Sequence, residues 1–321
     1  MLPSVSVVLP AYNHGGHLAG AIQAILRQSV VPLELLVIDD GSTDDSLQVA
    51  SDFARRHSFV RVLENDRNRG VVYSINRGVD SAQGEFVYLA SADDRVLPGF
   101  LEKSLRLLGE HPKAGVSMTD FAFMDSGTGA LSPKHLAIAP ISGYLLPDEL
   151  ASRLRGLGDV IPGCTTIFRR EALQQLGGFS EELRWHCDWF ATLALAFRYG
   201  LCYIAEPLAA YRFGPGGYSD GARRDRNAQR RVLVHLLGAL GSEEFKDVAP
   251  LFHRSRALSK FGLPIVRACL EDPRYRPALR QLPHLGILLR EARSLLIRLG
   301  PVRLRRAYWR ARYRLQRRPH A

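Results

Sequence analysis

Two pairs of adjacent carboxylates, Asp39-Asp40 and Asp93-Asp94, follow the apolar runs Leu33–Ile38 and Phe86–Ala90. A third apolar run, Val5–Leu9, meets Pro10 and then releases Tyr12 and Asn13. Neighbouring carboxylates offer hard oxygens to Mg²⁺ or Mn²⁺, and phosphate oxygens complete the shell of such a cation. Asp93-Asp94 suits a cation bound to a diphosphate. Asp39-Asp40-Gly41-Ser42 reads equally as a turn and helix cap formed by Ser42, Thr43 or Asp44. The sequence contains no GxxxxGK[ST], and no GxGxxG follows the first apolar run, so a cation must carry more of the diphosphate charge. Arg67, Arg69 and Arg77 lie where further positive charge would help, although solvated arginines are the commoner explanation of such residues.

These residues need a frame. Val5–Leu9, Leu33–Ile38, Val60–Leu63 and Phe86–Ala90 read as buried strands, and helical patterns near His17–Gln28, after Asp44, and across Val71–Ser81 separate them. Alternating strands and helices with short connections predict a doubly wound α/β sheet. In such sheets ligands gather at the carboxyl ends of the strands. Tyr12, Asp39-Asp40 and Asp93-Asp94 are then expected on one rim. Further on, Ala114–Phe123 reads as a strand pair and Ser126–Pro147 as loop-rich. Thr165–Phe168 reads as a strand, with helices across Glu171–Leu176 and Trp185–Tyr199, then 223–240 and 243–261.

Four stretches in order resemble the motifs of family 2 glycosyltransferases: Val5–Pro10 with Ala11-Tyr12-Asn13, Ile38–Asp44, Asn68-Arg69-Gly70 with Asn76-Arg77-Gly78, and Ala92-Asp93-Asp94. The resemblance covers residues 3–212. It implies a GT-A fold, with a Rossmann-like, mostly parallel sheet flanked by helices. A nucleotide-binding half at 1–112 and an acceptor and catalytic half at 113–220 would precede a basic helical extension at 221–321. It further implies that Pro10, Tyr12, Asp39 and Asp40 line the nucleobase, with Asp40 accepting a base N–H. Arg69 would lie near the base or phosphates, Asp93 at the ribose, and Asp94 on Mg²⁺ or Mn²⁺. Gly163, Thr165, Gly178 and Phe179 fall on the acceptor side, and Asp188 at the position of the catalytic base. Three positions depart from the family pattern. Ser91 replaces a common first metal-motif aspartate, His186-Cys187 precedes the base, and Tyr211-Arg212-Phe213-Gly214 lacks a usual histidine.

The chemistry so implied is transfer of a sugar from a nucleotide-diphospho-sugar, expected to be UDP-linked, to a glycan or lipid-linked hydroxyl. One base and one displacement give inversion. A nucleotidyltransferase is the competing enzyme, although Ala11–His17 carries no Arg or Lys. A catalytically inactive glycan- or membrane-binding scaffold is the competing non-enzyme.

The net charge of +11 divides unevenly. Residues 1–220 hold 19 Lys+Arg against 25 Asp+Glu, net −6, and residues 221–321 hold 24 against 7, net +17. Leucines across 284–299, followed by Arg-rich sequence with Tyr308, Trp309 and Tyr313, predict a basic amphipathic segment over 284–318. Such a segment suits an anionic membrane surface, with its leucine face packed on the body or on another subunit as the alternative. Nucleic acid is disfavoured, since no recognition module is evident. No apolar run approaches the ~18–20 residues of a membrane span, and Met1-Leu2-Pro3 lacks a leader pattern, which predicts a cytoplasmic protein. Cys164, Cys187, Cys202 and Cys269 have no metal-binding spacing and read as buried free thiols.

Overall fold

The computed structural model describes residues 2–155, 162–213 and 225–279. Contacts group residues 1–255 into one compact unit and 256–321 into another. In the first, β1 (Val5–Ala11), β2 (Glu34–Asp39), β3 (Val60–Glu64) and β4 (Phe86–Leu89) alternate with α1 (Gly15–Leu26), α2 (Ser46–Arg56) and α3 (Val71–Ser81). Every residue of β2 and β4 is buried, as expected of parallel strands covered on both faces. β3-β2-β1-β4 are parallel neighbours.

Beyond β4 the sheet becomes mixed. Strand β5 (Arg95–Val96) and helix α4 (Phe100–Glu110) lead to β6 (Val116–Asp125), β7 (Leu131–Lys134), β8 (Gly143–Leu145) and α5 (Pro147–Arg153). Then come β9 (Thr166–Arg169), α6 (Arg170–Gln175), α7 (Cys187–Tyr199) and β10 (Leu201–Phe213). The order is β3-β2-β1-β4-β9-β6-β10-β5, with β9 antiparallel to both β4 and β6. Helices α8 (Arg226–Leu240) and α9 (Ala249–Arg254) complete this unit. In the second unit, Ile265, Ala268 and Cys269 form the buried face of α10 (Leu263–Glu271).

The expected strand pair at Ala114–Phe123 is one strand. Asp120 interrupts the apolar run in sequence, yet it is buried inside β6. Its carboxylate accepts from Leu136 N at 2.9 Å and Tyr203 Oη at 2.5 Å, and lies 2.9 Å from His135 Nδ1. The helical pattern at 243–261 is broken into Glu243–Phe245, α9 and Ala257–Phe261, with Arg256 at φ 56° between the last two. All four cysteines are buried and free. No described helix is long and apolar enough to cross a membrane. The 284–318 stretch lies outside the described residues.

Candidate active site

Strand β1 runs two residues past the point where its chain was expected to leave the sheet. Pro10 pairs with Ile38 and Ala11 with Asp39, whereas the pairing with β4 ends at Val8–Leu89. Pro10 therefore occupies a stretch bordered by one strand only, where a missing N–H leaves no ladder bond unmade. Just beyond it Tyr12 is 40% exposed. Adjacent strands lie about 4.8 Å apart, so the ends of β2, β1 and β4 fall within about 10 Å. Tyr12, Asp39-Asp40 and Asp93-Asp94 follow these three ends.

The loops after β1 and β2 are locked together. Asn13, at φ 54°, donates its N–H to Ser42 Oγ at 3.1 Å and accepts from Thr43 N at 2.8 Å. His14 N donates to Ser46 Oγ and Gly15 N to Asp44 Oδ2. Asp44 also accepts from Ser46 N, and these bonds hold its carboxyl below the ordinary value, the Ser46 hydroxyl contributing most. None of the three expected caps holds the N-cap of α2, which falls to Asp45 without a side-chain cap bond; their bonds tie the two loops together, and α2 begins only at Ser46.

Asp39 and Asp40 are both buried but differ in their partners. Asp40 Oδ1 accepts from Asn65 Nδ2 at 2.6 Å and Arg69 N at 2.8 Å, and Oδ2 accepts from Gly70 N at 2.9 Å. Its carboxylate fixes the loop that enters α3. Asp39 Oδ2 accepts from Ser42 N at 3.0 Å, while its Oδ1 is buried without a partner. Gly41, at φ +70°, makes this packing possible, because a Cβ there would stand 2.7 Å from the Arg67 carbonyl carbon. The Arg69 guanidinium lies 4.4 Å over the Tyr73 ring, and Arg77 donates to Glu64 O and Asn65 Oδ1. Arg77 is therefore a structural brace rather than a spare cation.

On the other side of β1, Asp94 is 6% exposed and its Oδ1 accepts from Arg212 N on β10 at 2.7 Å. The Arg212 Nε donates to the Asp93 carbonyl at 2.9 Å. Burial, followed by the charge of Asp93, pushes the Asp94 carboxyl up to about 7, against bonds from Arg212 N, Cys164 and Ser91. A buried acid raised in this way gains from a cation beside it, so the donor set fits a hard divalent metal. Among the described residues no three His, Cys, Asp or Glu side chains are grouped for a metal, so a cation held by Asp94 would need further ligands from a bound phosphate or water.

Cys164 links this pair to the expected base. It sits in the turn Gly163–Thr165, and its carbonyl accepts from Tyr88 Oη of β4 at 3.1 Å. Burial pushes its thiol up, reinforced by Asp94, Asp93 and Asp188 in turn. All three carboxylates thus lie within electrostatic reach of one thiol. Asp188 stands in the first turn of α7, where Trp189 N donates to its Oδ1 at 2.7 Å. A Cβ on Gly163 would come within 2.5 Å of Asp188 Oδ2, so glycine leaves room for the carboxylate.

The other acceptor-side positions support rather than line this centre. Thr165 is buried and donates to Pro162 O. Gly178 and Phe179 abut α3. Phe179 N donates to Asn76 Oδ1 at 2.9 Å, Asn76 Nδ2 returns a bond to Phe179 O at 2.8 Å, and the Phe179 ring packs on Phe168. His186 is buried beside Gln229 of α8. Arg212, Cys164 and Asn76 were not among the expected site residues. Arg212 and Asn76 left a signal, the first in the Tyr-Arg element whose histidine is missing, the second in the Asn76-Arg77-Gly78 stretch.

A family model described as glycosyl transferase family 2 matches residues 6–177. The chain belongs to this family. This family 2 glycosyltransferase is 27% identical over 216 residues to the putative teichuronic acid biosynthesis glycosyltransferase TuaG of Bacillus subtilis, covering 65% of this chain and 79% of TuaG. Several further curated glycosyltransferases match over only 33–40% of their own length. S. aureus TarS in complex with UDP-GlcNAc superimposes with a TM-score of 0.61 at 18% identity, covering 88% of this chain and 82% of that one. The mannosyltransferase PcManGT from Pyrobaculum calidifontis, in complex with GDP-Man and Mn²⁺, gives 0.57 at 20% identity, covering 95% and 83%. These likenesses establish the GT-A fold of the enzyme.

Proposed function

We propose that this glycosyltransferase moves a sugar from a nucleotide-diphospho-sugar, UDP-linked by preference, to a glycan or lipid-linked hydroxyl with inversion at the anomeric carbon. The reading is carried by the turn Gly163-Cys164, where a Cβ on Gly163 would stand 2.5 Å from Asp188 Oδ2 while the next side chain, Cys164, bonds Asp94, which supports a diphosphate end and a base end in one centre. Tyr12 offers its exposed ring to the nucleobase at the end of β1. Pro10, Asp39 and Asp40 shape the floor, with Arg69 beside it. Asp93 meets the ribose.

Asp94, with Asp93 beside it, would hold Mg²⁺ or Mn²⁺, and the bound cation would neutralise charge gathering on the departing diphosphate. Asp188 receives the proton of the acceptor hydroxyl as its oxygen attacks, a contribution of ~10²–10⁴-fold. Gly163, Thr165, Gly178 and Phe179 hold the acceptor wall in register with that carboxylate. No covalent intermediate is required, and a single displacement inverts the centre.

TuaG supports a place in surface polysaccharide assembly, and the net +17 of residues 221–321 supports contact with an anionic membrane on the cytoplasmic face. Equal partitioning onto anionic liposomes by the full chain and by one ended at Gly221 would remove the membrane part of the proposal. The central test screens UDP-, GDP- and dTDP-sugars by thermal shift with and without Mn²⁺, then measures Asp188→Asn. A nucleotide-sugar that stabilises both proteins, with turnover lost only in the variant, is the expected result. Stabilisation by non-nucleotide ligands alone, or full turnover in the variant, overturns it.

A further inference from the structure

A second cavity, of about 380 Å³, opens at the opposite end of the sheet. Tyr144 on its wall pairs through β8 with Cys202 at the start of β10, whereas Arg212, which grips Asp93-Asp94, is near the end of that strand. Irregularities in β10 take up three of the residues between the two levels, and the seven register steps along β6, Ser117 to Met124, put them about 23 Å apart. The cavity therefore shares no residue with the candidate active site.

Its lining combines cations, aromatic rings and neutral hydrogen-bonding groups. Arg198 is committed elsewhere, bonded to Asp247 through Nε and Nη2 and to Glu244 O. Arg169 is committed only in part. It bonds Ala114 O and Glu85 and lies 4.6 Å over the Phe86 ring, while its Nη2 is buried with no hydrogen-bond partner. Lys113 is exposed and has no ion-pair partner among the described residues. Tyr144 is held rigid, stacked on His111 at 4.9 Å and donating to Tyr199 O at 2.9 Å. Gln175 joins Tyr199 Oη to Glu171, which places amide, phenol and carboxylate groups along one side.

Free positive charge beside a fixed aromatic face selects a ring that bears an anion. Glu171 and Gln175 add acceptors that an inorganic anion has no use for and sugar hydroxyls do. We infer that the cavity bordered by Lys113, Tyr144, Arg169 and Gln175 is a second binding site, for a saccharide unit carrying a phosphate or carboxylate group. Lys113 takes the anion, the tyrosine wall packs against the ring, and the Glu171–Gln175 side takes the hydroxyls. The volume lies within the range of small-molecule sites and fits one such unit.

The test is an amide-resolved NMR titration of the full chain with glucose 1-phosphate, glucuronate, glucose and inorganic phosphate. Saturable shifts at Lys113, Tyr144, Gln175 and Tyr199 are expected with one or both sugar anions, and which of them binds tells phosphate from carboxylate. Glucose and inorganic phosphate should each bind at least tenfold more weakly. Lys113→Ala should weaken the sugar anion about tenfold, the scale of one charge-assisted bond, and Lys113→Glu should abolish binding. Shifts near Asp94 or Asp188 report the donor site and are scored separately. The inference fails if those four amides do not move with either sugar anion. It fails equally if inorganic phosphate binds as tightly as the sugar anions, or if Lys113→Ala binds unchanged.

Discussion

Arg212 donates its main-chain N–H to the Asp94 carboxylate and its Nε to the Asp93 main-chain carbonyl, at 2.7 and 2.9 Å. One residue of β10 thus fixes both members of the acidic pair. Arg212→Ala retains the first bond and loses the second. Outer partners of metal ligands are worth ~10–100-fold in metal affinity. The variant is expected to fold normally and to bind Mn²⁺ at least tenfold more weakly, read by direct Mn²⁺ titration. Unchanged affinity would show that Asp93-Asp94 needs no brace.

The raised carboxyl of Asp94 makes a prediction about stability. Its folded value of about 7 exceeds the ordinary 3.8, so between these values the folded protein holds a proton that the unfolded chain has lost. Its contribution to stability therefore falls as pH rises through that window. Calorimetry in chelator should show the cation-free protein losing Tm between pH 4 and 7 by more than Asp94→Asn does. Mn²⁺ should restore much of the loss at pH 8. Parallel pH curves for the two proteins would contradict the assignment.

Gly163→Ala places a methyl group 2.5 Å from Asp188 Oδ2, and the carboxylate must move. A displacement near 1 Å at a reacting group costs about 10²-fold. Steady-state assays should show kcat reduced on that scale with donor affinity preserved. A kcat within twofold of the parent would place the base elsewhere.

Asn76 bridges α3 to Phe179 with two bonds of 2.8 and 2.9 Å. Asn76→Ala leaves both partners unsatisfied, at a cost of about 2 kcal/mol. For a unit of this size that is a Tm fall of about 4–8 °C. A variant melting with the parent would mean that water replaces the amide.

The first four strands, the three helices between them and the rim they build were legible in the sequence, because buried parallel strands leave uninterrupted apolar runs. Pro10 misled at the strand end, since sequence does not reveal that β4 has already ended beside it. Asp120 imitated a turn within β6, because its three partners come from residues 15 to 83 positions away. Cys164 was invisible as a site residue for the same reason. Its importance lies in what surrounds it, and Tyr88, Asp94 and Asp188 are remote in sequence. Asp44 was expected as one of three caps, whereas the N-cap is Asp45 and Asp44 ties the two loops together through a bond to Gly15, which lies 29 positions away.

That tie has a bearing on how donor choice changes. Because Asn13, His14 and Gly15 lean on Ser42, Thr43, Asp44 and Ser46, the two segments form a single mechanical part, and neither can be redrawn alone. Under the nucleobase role proposed for Tyr12 and Asp39-Asp40, engineering a different base preference would call for grafting residues 12–15 and 42–46 as a matched set. Swapping either piece separately would unfasten the platform before it altered what rests there.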